Sequence, residues 1–95
     1  MVQLDVAHLR IQGVDVVICF LDSAFDHRSR QEQAETRAAL QVCSGTAGLA
    51  GNVVLVWRDA FGRFKFLAPV NQHPFFKTAD FGQLYRQINT RLTCG

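Results

Sequence analysis

Two stretches of the chain, residues 2–43 and 52–93, repeat one order of hydrophobic and polar positions. Each begins with a hydrophobic run, turns tightly into a second hydrophobic run, and then passes through a polar loop into a segment with helical spacing. This order predicts two strand–strand–helix halves, although they share little residue identity. No linker separates the halves, so we expect residues 1–95 to form a single domain.

The first half begins with two predicted strands. Residues 2–12 alternate in hydropathy, but the parity of the apolar positions changes near Ala7 and His8, which is typical of a bulge or of two short strands. A Gln-Gly turn signal follows at positions 12–13. Residues 14–21 are apolar at both parities, which indicates a strand in the centre of a sheet.

The second half repeats the two strands. Residues 53–57 are again apolar at both parities, and residues 59–62 predict a hairpin turn with glycine at a left-handed position. Residues 63–68 alternate, with phenylalanines on one side and Arg63 and Lys65 on the other. The proline that follows ends this strand or places it at an edge of the sheet.

Each half ends in a predicted helix. Ser29 and Glu32 have the spacing of a capping box, and the first helix should run from there to about Cys43. Its apolar positions are small: Ala34, Ala38 and Val42 at i, i+4 spacing, with Ala39 and Leu40 beside them. Thr78 should cap the second helix. The apolar stripe of that helix is continuous: Phe81, Leu84, Tyr85, Ile88 and Leu92.

The element order ββαββα predicts an α+β fold with a four-stranded, mainly antiparallel sheet and two helices on one face. The first helix gives a crossover long enough for strands two and three to run parallel. If strand four inserts between them, the spatial order is 1-2-4-3, which is a permuted ferredoxin-like sheet. The alternative is two ββα halves joined edge to edge.

One face of this sheet would lack helices. The helix side would carry Val16, Ile18, Phe20, Phe64 and Phe66. The open side would carry His8, Arg10, Asp15, Cys19, Arg63 and Lys65. Because strands two and three are apolar on both faces, we expect a second copy to cover the open face, which predicts a homodimer.

The composition is that of a globular protein, with 48% hydrophobic residues and a net charge of +2. Because Cys19, Cys43 and Cys94 form no CxxC motif, we expect reduced thiols. Residues 1–12 contain charged side chains and predict no secretory signal. The longest apolar run, residues 16–21, is too short to span a bilayer. The expected location is therefore cytoplasmic, without a membrane contact.

Carboxylates follow the two central strands. Asp22, Asp26 and His27 come after strand two and Asp59 after strand three, so a parallel arrangement of these strands would bring them close together. Such groups can bind a divalent cation or act as acid and base. However, aspartate is also common in turns, and no metal motif is present. These four residues are therefore weak candidates for metal ligands, and the sequence predicts no cofactor.

Aromatic and basic residues supply the remaining candidates. An interaction surface is predicted at Arg63, Lys65, Phe75 and Phe76. A ligand pocket between the second helix and the sheet would be lined by Trp57, Phe66, Phe76 and Tyr85. Single-stranded nucleic acid could contact Arg10, Arg58, Arg63 and Lys65, although the cations are too dispersed to favour it.

These patterns favour a non-enzymatic binding or interaction module, homodimeric through the open sheet face or a strand edge. A small-ligand-binding protein with an aromatic pocket is the second hypothesis, and a weak binder of single-stranded nucleic acid is the third. An enzyme is the least supported class, because no nucleophile in the sequence has an activating partner.

Overall fold

The computed structural model describes residues 2–94, with side chains from Gln3 onward. This part of the chain contains five strands and three helices. They are β1 (Val2–Ile11), β2 (Val14–Phe20), α1 (Arg30–Thr46), β3 (Asn52–Arg58), β4 (Phe64–Leu67), α2 (His73–Thr78), α3 (Phe81–Tyr85) and β5 (Thr90–Cys94). Short 3₁₀ turns occupy Ser23–His27 and Val70–Gln72.

The strands form one mixed sheet in the order β4-β3-β2-β1-β5. β2 and β3 are parallel, and all other neighbours are antiparallel. The α+β class is confirmed, but the four-stranded sheet with order 1-2-4-3 is wrong. Strand four does not insert between β2 and β3, since those two strands, apolar on both faces, pair directly in the centre. The two hairpins pair directly through β2 and β3, but β5 adds a fifth strand beside β1, so the structure is not the alternative of two ββα halves either.

Helices cover both faces of the sheet, which corrects the prediction of two helices on one face. α1 and the first 3₁₀ turn pack on one side, against the aliphatic side chains Val17, Val53 and Leu55. α2 and α3 pack on the other side, against Val54 and Val56. Phe20, Phe64 and Phe66 lie on the α2–α3 side as predicted. The face that was expected to be open carries α1.

β1 is a regular strand, and the predicted bulge is absent from it. Its pairing with β2 is continuous from Val6 opposite Cys19 to Ile11 opposite Val14. The apolar parity changes because the covering layer changes: Leu4 and Val6 point to the α1 side, whereas Ala7, Leu9 and Ile11 point to the α2–α3 side. The two helical layers therefore cover diagonally opposite halves of this strand.

The predicted second helix is divided among three elements. Asp80 caps α3, its carboxylate accepting from the Gly82 N–H at 3.3 Å, but this helix ends at Tyr85. Asn89 then bonds the β1 backbone at both His8 groups, accepting from N–H at 2.9 Å and donating to C=O at 3.0 Å. These bonds direct the chain along the edge of β1. Leu92 is buried as predicted, but it belongs to the strand β5 and not to a helix.

α1 buries only part of the apolar set that its hydropathy pattern predicted. The capping box at Ser29 and Glu32 is confirmed. Four of the five predicted apolar residues are exposed: Ala34, Ala38, Ala39 and Val42, the last of them 70% exposed. The helix buries the fifth, Leu40, together with Ser44.

Polar side chains of α1 complete its contact with the sheet. Gln41 accepts from the Val53 N–H at 2.8 Å and donates to the Gly51 carbonyl at 3.0 Å. Arg37 donates to the Val53 carbonyl at 2.9 Å. β4 pairs only with Leu55–Arg58, so these side chains bond the edge of β3 where β4 gives no partner.

The cysteines differ from expectation. Cys43 at the end of α1 and Cys94 in β5 form a disulfide, with 5.7 Å between their Cα atoms. The prediction of reduced thiols is therefore wrong for this pair, because the fold brings together two residues 51 positions apart. Cys19 is a free thiol buried in β2, and burial raises its pKa to about 12.

Candidate functional site

A groove lies beyond the carboxyl ends of β2 and β3. The chain leaves β2 toward the α1 face, whereas it leaves β3 through β4 toward the α2–α3 face. The diverging connections leave a crevice between them, and such points are where open α/β sheets bind ligands. The groove has a volume of about 390 Å³ and is lined by residues 21–23, residues 58–60, Gly62 and Phe81.

The arginine of this groove is held on an aromatic ring. The Arg58 guanidinium carbon lies 4.6 Å from the centre of the Phe81 ring. The ring is itself fixed, because Phe20 and Phe64 contact it with centroid distances of 5.6 and 6.2 Å. The Arg58 side chain is exposed, and none of the ion pairs between the described residues includes it. It is therefore an oriented cation that is free to bind a ligand.

The β3–β4 turn forms the opposite wall. Asp59 is only 9% exposed, and its carboxylate accepts from the backbone N–H groups of Phe61 at 2.9 Å and Arg63 at 3.0 Å. The Arg63 backbone bond is the main cause that lowers the pKa of Asp59 below its ordinary value of 3.8. Gly62 has the predicted left-handed conformation, with φ of 78°. A β-carbon at Gly62 would meet no atom within 4 Å, so the space next to this residue is open to solvent.

The predicted metal ligands are only partly brought together. Asp22 and Asp59 line the groove, as expected from parallel β2 and β3, but Asp26 and His27 do not. Asp22 accepts from the Ala24 N–H at 3.0 Å, and Asp26 accepts from the Trp57 indole N–H at 3.1 Å. Nowhere in residues 2–94 do three His, Cys, Asp or Glu side chains gather as a cation site.

The predicted interaction surface and pocket are also divided. Arg63 and Lys65 are exposed, but Phe75 is half-buried and Phe76 fully buried, so their segment folds back onto the sheet as α2.

The four predicted pocket residues do not share a cavity. Trp57 packs on the α1 side, whereas Phe66 and Phe76 pack on the opposite side of the sheet. Tyr85 is exposed at the surface.

Two aromatic residues flank the groove instead. All ten aromatic residues belong to the described chain, and only Phe61, 82% exposed, and Tyr85, 52% exposed, remain largely in contact with solvent. Phe61 lies in the turn between two groove residues, and Tyr85 stacks on Phe81 at 6.1 Å. The sequence signal for this site was an arginine directly after an apolar strand, followed by a glycine turn.

Comparison of the chain with protein-family models, with curated proteins and with solved structures gave no match in any of the three cases. Across residues 2–94, no helix combines the length and the apolar character needed to cross a membrane.

Proposed function

We propose that this protein is a non-enzymatic binding module and that its binding site is the groove at the carboxyl ends of β2 and β3. The observation that carries the proposal is the exposed, unpaired Arg58 guanidinium stacked on Phe81. A cation fixed on a ring loses little conformational freedom when it binds an anion or a planar group, so more of the interaction energy remains as affinity.

The size of the site supports a small ligand over an extended partner. The groove is a crevice of about 390 Å³, which lies within the range of small-molecule sites. Leu21, Ala60 and Phe81 give it apolar surface, and its polar lining residues are Asp22, Ser23, Arg58 and Asp59. A small ligand can therefore combine apolar burial with directional polar contacts in this groove.

The titratable groups argue against catalysis. The Asp59 carboxylate is bonded within its own turn, and its lowered pKa makes it a poor base. The Cys19 thiol is buried, and its raised pKa keeps it protonated. Neither group is arranged as an activated nucleophile with a base within reach.

The test uses benzoate as the simplest planar anion. In ¹H–¹⁵N correlation spectra, benzoate should shift the amide signals of residues 21–23 and 58–62. Arg58→Gln should abolish these shifts, whereas Arg30→Gln, an exposed arginine at the start of α1, should leave them unchanged. Equal shifts in the Arg58→Gln variant, or shifts confined to another surface, would contradict the proposal.

Self-association stays a prediction. Its reason was a sheet face without helices, and both faces now have cover from the same chain. The edge strands β4 and β5 are short and carry Lys65 and Arg91, which discourages pairing between copies. Sedimentation at high protein concentration would decide, and a monomer there would remove the homodimer hypothesis.

Nucleic-acid binding and location also stay predictions. Arg10 lies at the far end of the sheet from Arg58, where it pairs with Asp15 at 3.7 Å. The basic residues do not form one continuous stripe, so we do not expect an affinity for nucleic acid that falls steeply with salt concentration.

The Cys43–Cys94 disulfide favours an oxidising compartment over the cytoplasm, because reducing systems keep cytosolic thiols free.

A further inference from the structure

Two opposite charges line the groove without pairing with each other. Arg58 has no carboxylate within 4.0 Å among the described residues, and Asp22 takes part in none of their ion pairs either. One Asp22 oxygen accepts from the Ala24 N–H, which leaves its second oxygen without a partner in residues 2–94. The other two charges of the region pair with each other: Arg63 lies 3.8 Å from Asp59.

From this arrangement we infer that the groove binds a small zwitterion, namely a free α-amino acid with an aromatic side chain. The inference rests on the proposed function and names its ligand class. The ligand carboxylate binds the Arg58 guanidinium, whose planar fork matches a carboxylate with two parallel hydrogen bonds. The ligand ammonium binds the free oxygen of Asp22.

The remaining walls select the side chain. The apolar lining residues are Leu21, Ala60 and Phe81, and the Arg58 guanidinium lies over the Phe81 ring. The side chain of an aromatic amino acid has a large apolar surface to bury against them. A second negative charge on a ligand would lie near Asp22 and a second positive charge near Arg58, so the two charges together favour a zwitterion over a dianion or a dication.

The experiment titrates the protein with free phenylalanine by calorimetry and by ¹H–¹⁵N correlation spectra. Two analogues each remove one charge: 3-phenylpropionate lacks the ammonium, and phenethylamine lacks the carboxylate. Loss of one charge-assisted contact should weaken binding by about tenfold or more. Phenylalanine should therefore bind more tightly than both analogues, and its signals should map to residues 21–23 and 58–62.

Two variants assign the charges. Asp22→Asn removes the charge but keeps the cap on Ala24, since asparagine is an equally good cap. It should weaken phenylalanine binding to the level of 3-phenylpropionate and leave 3-phenylpropionate unchanged. Arg58→Gln should weaken both carboxylates and leave phenethylamine unchanged. Arg30→Gln is the control variant and should bind all three probes like the unaltered protein.

The outcomes separate the two proposals. If 3-phenylpropionate shifts the groove signals and phenylalanine binds no more tightly, the zwitterion inference is overturned while the binding groove stands. If phenylalanine binding is insensitive to both Asp22→Asn and Arg58→Gln, the inference is likewise overturned. If no probe, benzoate included, shifts a groove signal at millimolar concentration, both proposals fail.

Discussion

The two helical layers attach to the same sheet by different means. α1 has 17 residues, yet it buries only Leu40 and Ser44, and it adds polar bonds to β3 and a disulfide to β5. α2 and α3 have 6 and 5 residues and bury Phe76 and Leu84 among aromatic rings. A long helix with small apolar positions thus needs directional bonds, whereas short helices can be held by large rings.

The largest expected effect is on the aromatic layer. Phe76→Ala removes a fully buried ring that contacts Phe66 and Phe75 with centroid distances of 5.7 and 5.0 Å. We expect the free energy of unfolding to fall by about 3–5 kcal/mol, because a cavity replaces the ring. Urea unfolding measures this, with Phe61→Ala as the exposed control. A loss below about 1 kcal/mol would mean that the rings do not hold this layer.

The α1 layer should respond next, to loss of its disulfide. The Cys43→Ser, Cys94→Ser double variant should lose about 2–4 kcal/mol, because the unfolded chain regains the entropy of an open loop. Thermal unfolding with and without a reducing agent measures this. The unaltered protein should melt at a lower temperature when reduced, and the double variant should be insensitive. An unaltered melting temperature on full reduction would show that the polar bonds alone hold α1.

Gln41→Met should test the polar contact of α1. The substitution keeps the length of the side chain but leaves the Val53 N–H and the Gly51 carbonyl without this partner. We expect a loss of about 2 kcal/mol in the free energy of unfolding, since buried backbone groups without partners are costly. Glu35→Met, at an exposed position of the same helix, is the control for helix propensity.

A glutamine-to-methionine substitution next to α2 should raise the free energy of unfolding instead of lowering it. Gln72 is buried, and neither its side-chain nitrogen nor its oxygen has a partner among the described residues. Gln72→Met removes this unpaired amide, so we expect a gain of about 1 kcal/mol, measured by the same urea unfolding. If Gln41→Met and Gln72→Met change stability in the same direction, the contrast between the two layers is wrong.

Local signals predicted much of the fold. β2 and β3 were found because their apolar residues are continuous, and Ser29 with Glu32 marked the start of α1. The end of the second helix was not predicted, because it depends on the hydrogen bonds of Asn89 with His8, a residue 81 positions earlier in the sequence. Of the face that α1 packs on the sheet only Leu40 was among the predicted apolar residues, since hydropathy gives no weight to a glutamine such as Gln41 that bonds a strand edge.

The candidate site was predictable only in part. Parallel β2 and β3 were enough to bring Asp22 and Asp59 to one groove. The role of Arg58 was not accessible, because it depends on α3 placing Phe81 under the guanidinium. The sequence likewise gave no reason to expect Phe61 at the surface, since phenylalanine in a turn next to a strand is as often buried.

The pairing of β1 with β5 has a consequence for the order of folding. β1 meets β2 through a two-residue hairpin, whereas β5 reaches β1 from the far end of the sequence: Asn89, which precedes β5, is 81 positions from its partner His8. Closing so long a loop is entropically slow, so β5 should join the sheet after the hairpins have formed. Until then β1 is a temporary edge that can template pairing with other unfinished chains, and crowded refolding should promote aggregation.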